Sequence, residues 1–292
     1  MHEFSYAIPE TTRELFSLLT DNHGQAKILA GGTDLIVQMR SGTVSPELVI
    51  DVKNIPQFVS LSLSVRGLTI GAAVSCKIIC EDKPVAEAYP ALVDSASLIG
   101  GVQIQGRASI GGNLCNASPG ADSIPTLIAL GATAIIQNPG GTRELPVEEF
   151  CTGPGANCLA ADEVLVSLKL PLRQENTGAK FLRFTPRNEM DIAVANAAAS
   201  VVLSSDFKRF SSARIAIGAV GPTPLLVREA ADALRGSPIS EESIIAAAEI
   251  ARSAASPIDD MRGSATQRRH LVGVLVTRAL RGAIERARGN EQ

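Results

Sequence analysis

The chain has 292 residues, 45% hydrophobic and 3% aromatic, with 27 Lys and Arg against 30 Asp and Glu for a net charge of −3. That length and apolar content suit a globular protein of about two domains, and a slightly acidic, aromatic-poor chain offers neither the basic patch nor the stacking rings of a nucleic-acid binder. No apolar run approaches the ~18 residues of a membrane span, and Met1-His2-Glu3-Phe4 lacks the basic and apolar regions of a signal peptide, so the expected location is cytoplasmic, without membrane insertion.

The opening reads β-α-β-α-β. A short strand spans Glu3 to Tyr6, and a helix from Thr12 to Leu19 follows Pro9 and a Thr11-x-x-Glu14 capping box. Then come a strand from Lys27 to Ala30, a helix from Asp34 to Arg40 and a strand from Leu48 to Val52. Strands joined by helical crossovers imply a small parallel sheet. The turn Ala30-Gly31-Gly32-Thr33-Asp34-Leu35 falls at the carboxyl end of one of its strands, where open α/β sheets bind ligands.

From Ile55 the pattern changes to a hairpin (Phe58 to Leu63, Leu68 to Ala73) and helices from Ser75 to Cys80 and from Pro90 to Leu98. The segment Ser109-Ile110-Gly111-Gly112-Asn113-Leu114-Cys115-Asn116-Ala117-Ser118-Pro119-Gly120-Ala121-Asp122-Ser123-Ile124-Pro125 is expected as a turn-rich cradle rather than a core element. A helix from Ser123 to Leu130 and strands at Ala132 to Gln137, Thr142 to Leu145 and Glu163 to Leu170 complete an α+β part. The polar run Gln174-Glu175-Asn176-Thr177-Gly178 marks the main boundary, giving 1–175 (parts of about 1–54 and 55–175) and 176–292. Beyond it, strand-like runs (Ala179 to Thr185, Ile192 to Leu203, Arg214 to Ala219) precede helical ones (Leu225 to Leu234, Ser240 to Ala254, Thr266 to Arg288), the order of a sheet backed by a helical cluster.

Glycine permits positive φ and removes the β-carbon, so successive N–H groups can converge on an anion, and a helix starting beyond the turn adds unpaired amides and a positive dipole end. Two such turns suggest a pyrophosphate held from two sides, although any single Gly-Gly pair is equally the mark of a tight turn. Neither turn fits GxxxxGKS/T and no GxGxxG is present, so a P-loop or Rossmann reading has no support. Cys76, Cys80, Cys115, Cys151 and Cys158 form no CxxC pair and read as reduced thiols, with Cys115 a small packing residue. His2, His23 and His270 lie far apart and read as structural or surface residues, so no metal site can be argued. Asp122 stands where it can N-cap the helix beginning at Ser123.

Four segments in order carry a resemblance: Ala30 to Leu35; Ser109 to Pro125; Pro186-Arg187-Asn188-Glu189-Met190-Asp191-Ile192-Ala193; and Arg262-Gly263-Ser264-Ala265 with Arg268-Arg269-His270-Leu271. From about Phe4 to about Arg281 the chain resembles the FAD-binding (medium) subunit of the molybdenum hydroxylases, the family of xanthine dehydrogenase and carbon monoxide dehydrogenase. The resemblance implies an α+β chain: a two-part FAD-binding domain, α/β-like at its start, then a domain with a three-stranded sheet and three helices. It implies that Ala30, Gly31, Gly32, Thr33, Asp34 and Leu35, with Ser109, Ile110, Gly111, Gly112 and Asn113, grip the FAD pyrophosphate, and that Ser118 and Asp122 face adenosine and ribose. Arg183, where the family more often has Lys, would set a cation beside the flavin edge; Arg187 and Asp191 can instead pair with each other. No histidine or cysteine stands in either glycine turn at a convincing attachment point, so FAD is expected to be non-covalent; by the resemblance, molybdopterin and 2Fe-2S clusters belong to a large and a small partner subunit, in a dimer of heterotrimers that delivers electrons to NAD+ or another acceptor. A stand-alone flavin-dependent oxidoreductase and a non-catalytic dinucleotide-binding scaffold are the alternatives.

Overall fold

A computed structural model describes residues 2–22, 24–187 and 190–289; His23, Asn188 and Glu189, named above, lie outside them. The expected opening is present: β1 (Ser5–Ala7), α1 (Thr12–Asp21), β2 (Ala26–Leu29), α2 (Leu35–Ser41) and β3 (Leu48–Asp51) build a parallel sheet of order β1-β3-β2. The central strand, Leu-Val-Ile-Asp, is buried at all four positions, as a parallel strand covered on both faces must be. One face packs Leu15, Leu19 and Ile50 into the main core, and the other closes over Leu29, Met39 and Val49. Thr11 Oγ1 accepts the Glu14 N–H at 3.2 Å, and Glu14 reaches back to the N–H of Glu10 at 2.9 Å, one residue before the cap.

A five-stranded antiparallel sheet follows, in the order β4 (Leu61–Ser64), β5 (Gly67–Gly71), β10 (Val164–Leu170), β6 (Thr133–Asn138), β7 (Gly141–Pro146). The hairpin is shorter than expected. Pro56, which suits the first position of a helix, starts the one-turn helix α3 (Pro56–Val59), and this buries Phe58 as a core residue instead of a strand residue. Between β5 and β6 run α4 (Cys76–Glu81), α5 (Lys83–Ala88), α6 (Pro90–Ala96), α7 (Val102–Gln105), α8 (Ile110–Asn116) and α9 (Ser123–Ala129). The segment read as a turn-rich cradle is therefore largely helical: Ser109 N-caps α8, and Gly111 and Gly112 lie inside its first turn. A two-stranded ribbon, β8 (Cys151–Gly153) with β9 (Ala156–Asn157), precedes β10.

The last sheet is antiparallel, β11 (Thr177–Phe184), β12 (Ala195–Leu203), β13 (Phe210–Gly218) and β14 (Leu225–Leu226), with helices α10 (Arg228–Leu234), α11 (Glu241–Ala254) and α12 (Ala265–Ala287). It has four strands where three were expected. Leu225 and Leu226 pair with Ile217 and Ala216, and the helix expected from Leu225 begins at Arg228. In β12, Ala195, Ala197 and Ala199 face the α11/α12 cluster while Ala198 faces the main core, so small residues let layers on both sides approach. Arg268, from the fourth recognised segment, is a structural tie: its guanidinium donates to the carbonyls of Val194 and Ala219, both at 2.9 Å, and to Asp260 at 2.7 Å.

Candidate functional site

A cleft of about 430 Å³ opens between the carboxyl end of the parallel sheet and the start of α8. Ten of the fourteen proposed site residues line it: Ala30, Gly31, Gly32, Thr33, Asp34, Leu35, Ser109, Gly111, Gly112 and Asn113. Ile110 is fully buried and anchors α8 in the core. Ser118, Asp122 and Arg183 stand outside the lining. Gln38, Asn116 and Asn157 line the cleft without having been singled out: the Gln38 amide donates to Asn116 Oδ1 at 3.1 Å, tying α2 to α8, and Asn157 donates to the Cys115 carbonyl at 2.8 Å.

Long-range contact brings the two turns together. A β-carbon on Gly31 would run into the Arg107 peptide, whose carbonyl carbon would be 2.6 Å away, so only glycine lets this turn touch the strand-like approach to α8. Gly32 has φ +78, the left-handed conformation that reverses the chain into α2. Among the described residues, the N–H groups of Gly31, Gly32, Thr33, Asp34 and Leu35 have no acceptor in the protein; the first amide of this stretch to find one is Ile36, bonded to the Gly32 carbonyl at 3.0 Å. Five successive main-chain donors thus remain for solvent or a ligand.

The second turn works differently from the sequence-based expectation. Gly111 is buried, and a β-carbon there would lie 2.6 Å from Ala72 Cα, so its glycine serves the packing of α8 onto the end of β5. The Gly112 N–H is already taken by Ser109 Oγ at 3.0 Å, and Asn113 Oδ1 accepts the Ser123 hydroxyl at 2.7 Å. Most free donors in the cleft therefore come from the first turn.

Charge in the cleft is sparse. Lys27 is the one cationic side chain among the described lining residues, Glu163 is neutralised by a two-pronged pair with Arg143 (2.6 and 2.7 Å), and desolvation raises the pKa of Asp34. Main-chain dipoles rather than side-chain cations are what this cleft offers an anion. The Cys115 thiol, pushed up to about 12 by burial, is not a nucleophile at neutral pH.

Asp122 and Arg183, assigned from the resemblance to opposite ends of a cofactor, pair with each other across α9 and β11. Both side chains are less than a tenth exposed. Asp122 does not cap α9: its Oδ2 meets Arg183, and its Oδ1, like Thr126 Oγ1 and Asn196 Oδ1, has no partner among the described residues. Burial pushes the Asp122 carboxyl up to about 6 against the downward pull of Arg183. Arg187 and Asp191 do pair, at 3.3 Å on the surface.

Among the described residues no group of His, Cys, Asp and Glu could hold a metal ion, and no helix is long and apolar enough to cross a membrane. Residues 2–173 match the model of the FAD binding domain in molybdopterin dehydrogenase, and residues 180–283 match the CO dehydrogenase flavoprotein C-terminal domain. The chain is 32% identical over 290 residues to the xanthine dehydrogenase FAD-binding subunit of Escherichia coli O157:H7, covering 99% of this chain and 98% of that one. It is 31% identical over 280 residues to the carbon monoxide dehydrogenase medium chain of Hydrogenophaga pseudoflava, covering 96% of each. Among solved structures it is similar to carbon monoxide dehydrogenase from H. pseudoflava (TM-score 0.93, 30% identity, 98% of each chain). It is also similar to quinoline 2-oxidoreductase from Pseudomonas putida 86 (TM-score 0.90, 30% identity, 99% of this chain and 98% of that one).

Proposed function

The chain belongs to the family of FAD-binding medium subunits of molybdopterin dehydrogenases, and from that premise we propose that its cleft holds the FAD pyrophosphate on the first glycine turn. It is a flavoprotein subunit of the molybdenum-containing oxidoreductases, the group that includes xanthine and carbon monoxide dehydrogenases. The observation that carries the cofactor assignment is the run of five N–H groups from Gly31 to Leu35, without an acceptor among the described residues, in residues that line a cleft with little cationic charge of its own. Oriented amides stabilise a diphosphate without the strong side-chain desolvation that buried cations would require. Gly111 and Asn113 close the opposite wall, and the Gln38–Asn116 bond fixes its distance from the turn.

Ser118 belongs in this reading to the adenosine side, whereas Asp122 and Arg183, bonded to each other, meet the cofactor at one shared place and not at its separate ribose and flavin ends. Arg183 acts as half of a buried pair, so its charge there is offset by Asp122 unless that carboxyl is protonated. FAD, non-covalently bound, supplies one-electron acceptance and two-electron release, the capacity needed to relay electrons from partner 2Fe-2S clusters to NAD+ or another acceptor. The molybdopterin and the clusters reside in a large and a small partner subunit, and the assembly is a dimer of heterotrimers. The matched segments, 2–173 and 180–283, support dividing the chain into 1–175, which binds FAD, and 176–292.

Native mass spectrometry of the complex from its own host, with the absorption spectrum of the same sample, tests this reading. Bound FAD and two further subunits are expected. Isolation of the chain as an active flavoenzyme without partners would overturn the three-subunit assignment.

A further inference from the structure

Beside the first glycine turn lies a hydrogen-bonded chain whose side chains do not line the cleft and that the cofactor assignment does not use. Lys53, in the single 3₁₀ turn after β3, directs its Nζ to the Ala30 carbonyl at 2.8 Å and to Asp51 Oδ1 at 2.6 Å. The same Oδ1 accepts the Lys53 N–H at 3.0 Å, and Asp51 Oδ2 accepts the Tyr6 hydroxyl at 2.6 Å. Asp51 is buried, and burial alone would raise its pKa, but these bonds hold it below the usual carboxylate value.

The peptide joining Ala30 to Gly31 is trans and planar, so its C=O and N–H point in opposite directions. With the Ala30 oxygen drawn back to Lys53, the Gly31 N–H is turned the other way. The next carbonyl, Gly31, accepts from Arg107 Nε at 3.5 Å, and the one after it, Gly32, accepts from the Ile36 N–H. Three successive carbonyls of the turn are therefore occupied, and the amides that follow them have no acceptor among the described residues.

We propose that Lys53, locked by Asp51 and Tyr6, is a positioning residue that sets the Ala30–Gly31 peptide so that the turn's amides face the bound diphosphate. It acts through Ala30 and does not line the cleft. This inference rests on the reading of the cleft as the pyrophosphate site. The three residues come from β1, β3 and the turn after β3, so the adjacent strands of the parallel sheet assemble the clamp.

The test titrates the full-length chain with FAD, ADP and riboflavin, comparing wild type with Lys53→Met, Lys53→Arg and Tyr6→Phe, and follows thermal unfolding without ligand. Removing a charge-assisted hydrogen bond that orients the turn should weaken FAD and ADP by a common factor of about tenfold. Riboflavin, which lacks the diphosphate, should bind as before. Lys53→Arg, which keeps a charged donor, should recover most of the loss, and Tyr6→Phe should show a smaller loss in the same direction. If Lys53→Met does not fold, the Tyr6→Phe ratio of FAD to riboflavin affinity decides. Unchanged FAD affinity, or equal losses for riboflavin and FAD, would overturn the role of Lys53 while leaving the cleft assignment intact. Failure of the wild type to bind FAD or ADP would instead strike at the cleft assignment itself.

Discussion

Replacing Gly31 by Ala perturbs the point on which the proposed site is built. The new β-carbon would sit 2.6 Å from the Arg107 carbonyl carbon and 3.1 Å from Ala108 Cα, both main-chain atoms that no rotamer change can move aside. The Arg107 carbonyl oxygen lies nearer still than its carbon, so to reach even 3.4 Å, the tight end of ordinary contact, the two segments must separate by more than about 0.8 Å, and overpacking of this kind costs ~1–3 kcal/mol. The same shift moves the Gly31 and Gly32 amides relative to the wall formed by α8. An amide bonded to a charged oxygen is worth ~1.5–3 kcal/mol, so losing one or two of them should raise the FAD Kd by about 10²-fold. Gly42→Ala is the control: Gly42 has positive φ (+75), which Gly31 does not, but nothing within 4 Å of a β-carbon, so it should cost ~1 kcal/mol of stability and leave FAD affinity alone. Flavin fluorescence titration gives the affinities and urea unfolding of the ligand-free chain gives the stabilities. Gly31→Ala with FAD affinity within threefold of wild type would refute both the clash and its role in shaping the site.

Gly111→Ala should destabilise the ligand-free protein by ~1–3 kcal/mol in urea melts, because its β-carbon meets the Ala72 backbone; an unchanged midpoint would contradict the packing role given to that glycine. Arg143 holds Glu163 down to about 2, so this pair contributes stability that is present above the ordinary glutamate pKa and is lost as pH falls toward 2. Arg143→Met should therefore move the acid-unfolding midpoint to higher pH, as read by circular dichroism. Asp122 behaves oppositely: with a native pKa raised to about 6, the folded state binds the extra proton, and the contribution of Asp122 to stability declines as pH rises from about 4 to about 6. Asp122→Asn, neutral like the protonated carboxyl, should remove that decline, so wild-type stability falls relative to the variant as pH rises through this window. Native Cys115 should resist iodoacetamide at pH 8 and react only after unfolding, as followed by mass spectrometry.

The features legible in the sequence are those encoded locally. Apolar periodicity and the Thr11 cap announced the parallel sheet, and the glycines of Ala30 to Leu35 marked the strand end where the cleft opens. Gly111 and Gly112 misled because helix propensity argues against two adjacent glycines in a first turn; the close approach of Ala72, far away in sequence, overrides it. The pairing of Asp122 with Arg183 and the Tyr6–Asp51–Lys53–Ala30 chain join residues on different strands or elements, and no spacing rule reveals such partners. The edge strand at Leu225–Leu226 has only two residues, too few for alternation to show. The recognised segment around Arg268 was legible as a motif, but its purpose, tying two loop carbonyls together, required the fold.

The central claim is that the free amides from Gly31 to Leu35 receive the FAD diphosphate, and amide-resolved NMR of the isotope-labelled chain tests it most directly. On addition of FAD, the Gly31, Gly32 and Thr33 amide protons should move downfield, as hydrogen bonds to an anionic oxygen require, and ADP should reproduce those shifts while riboflavin does not. Binding of FAD that leaves these three amides unmoved would contradict the account.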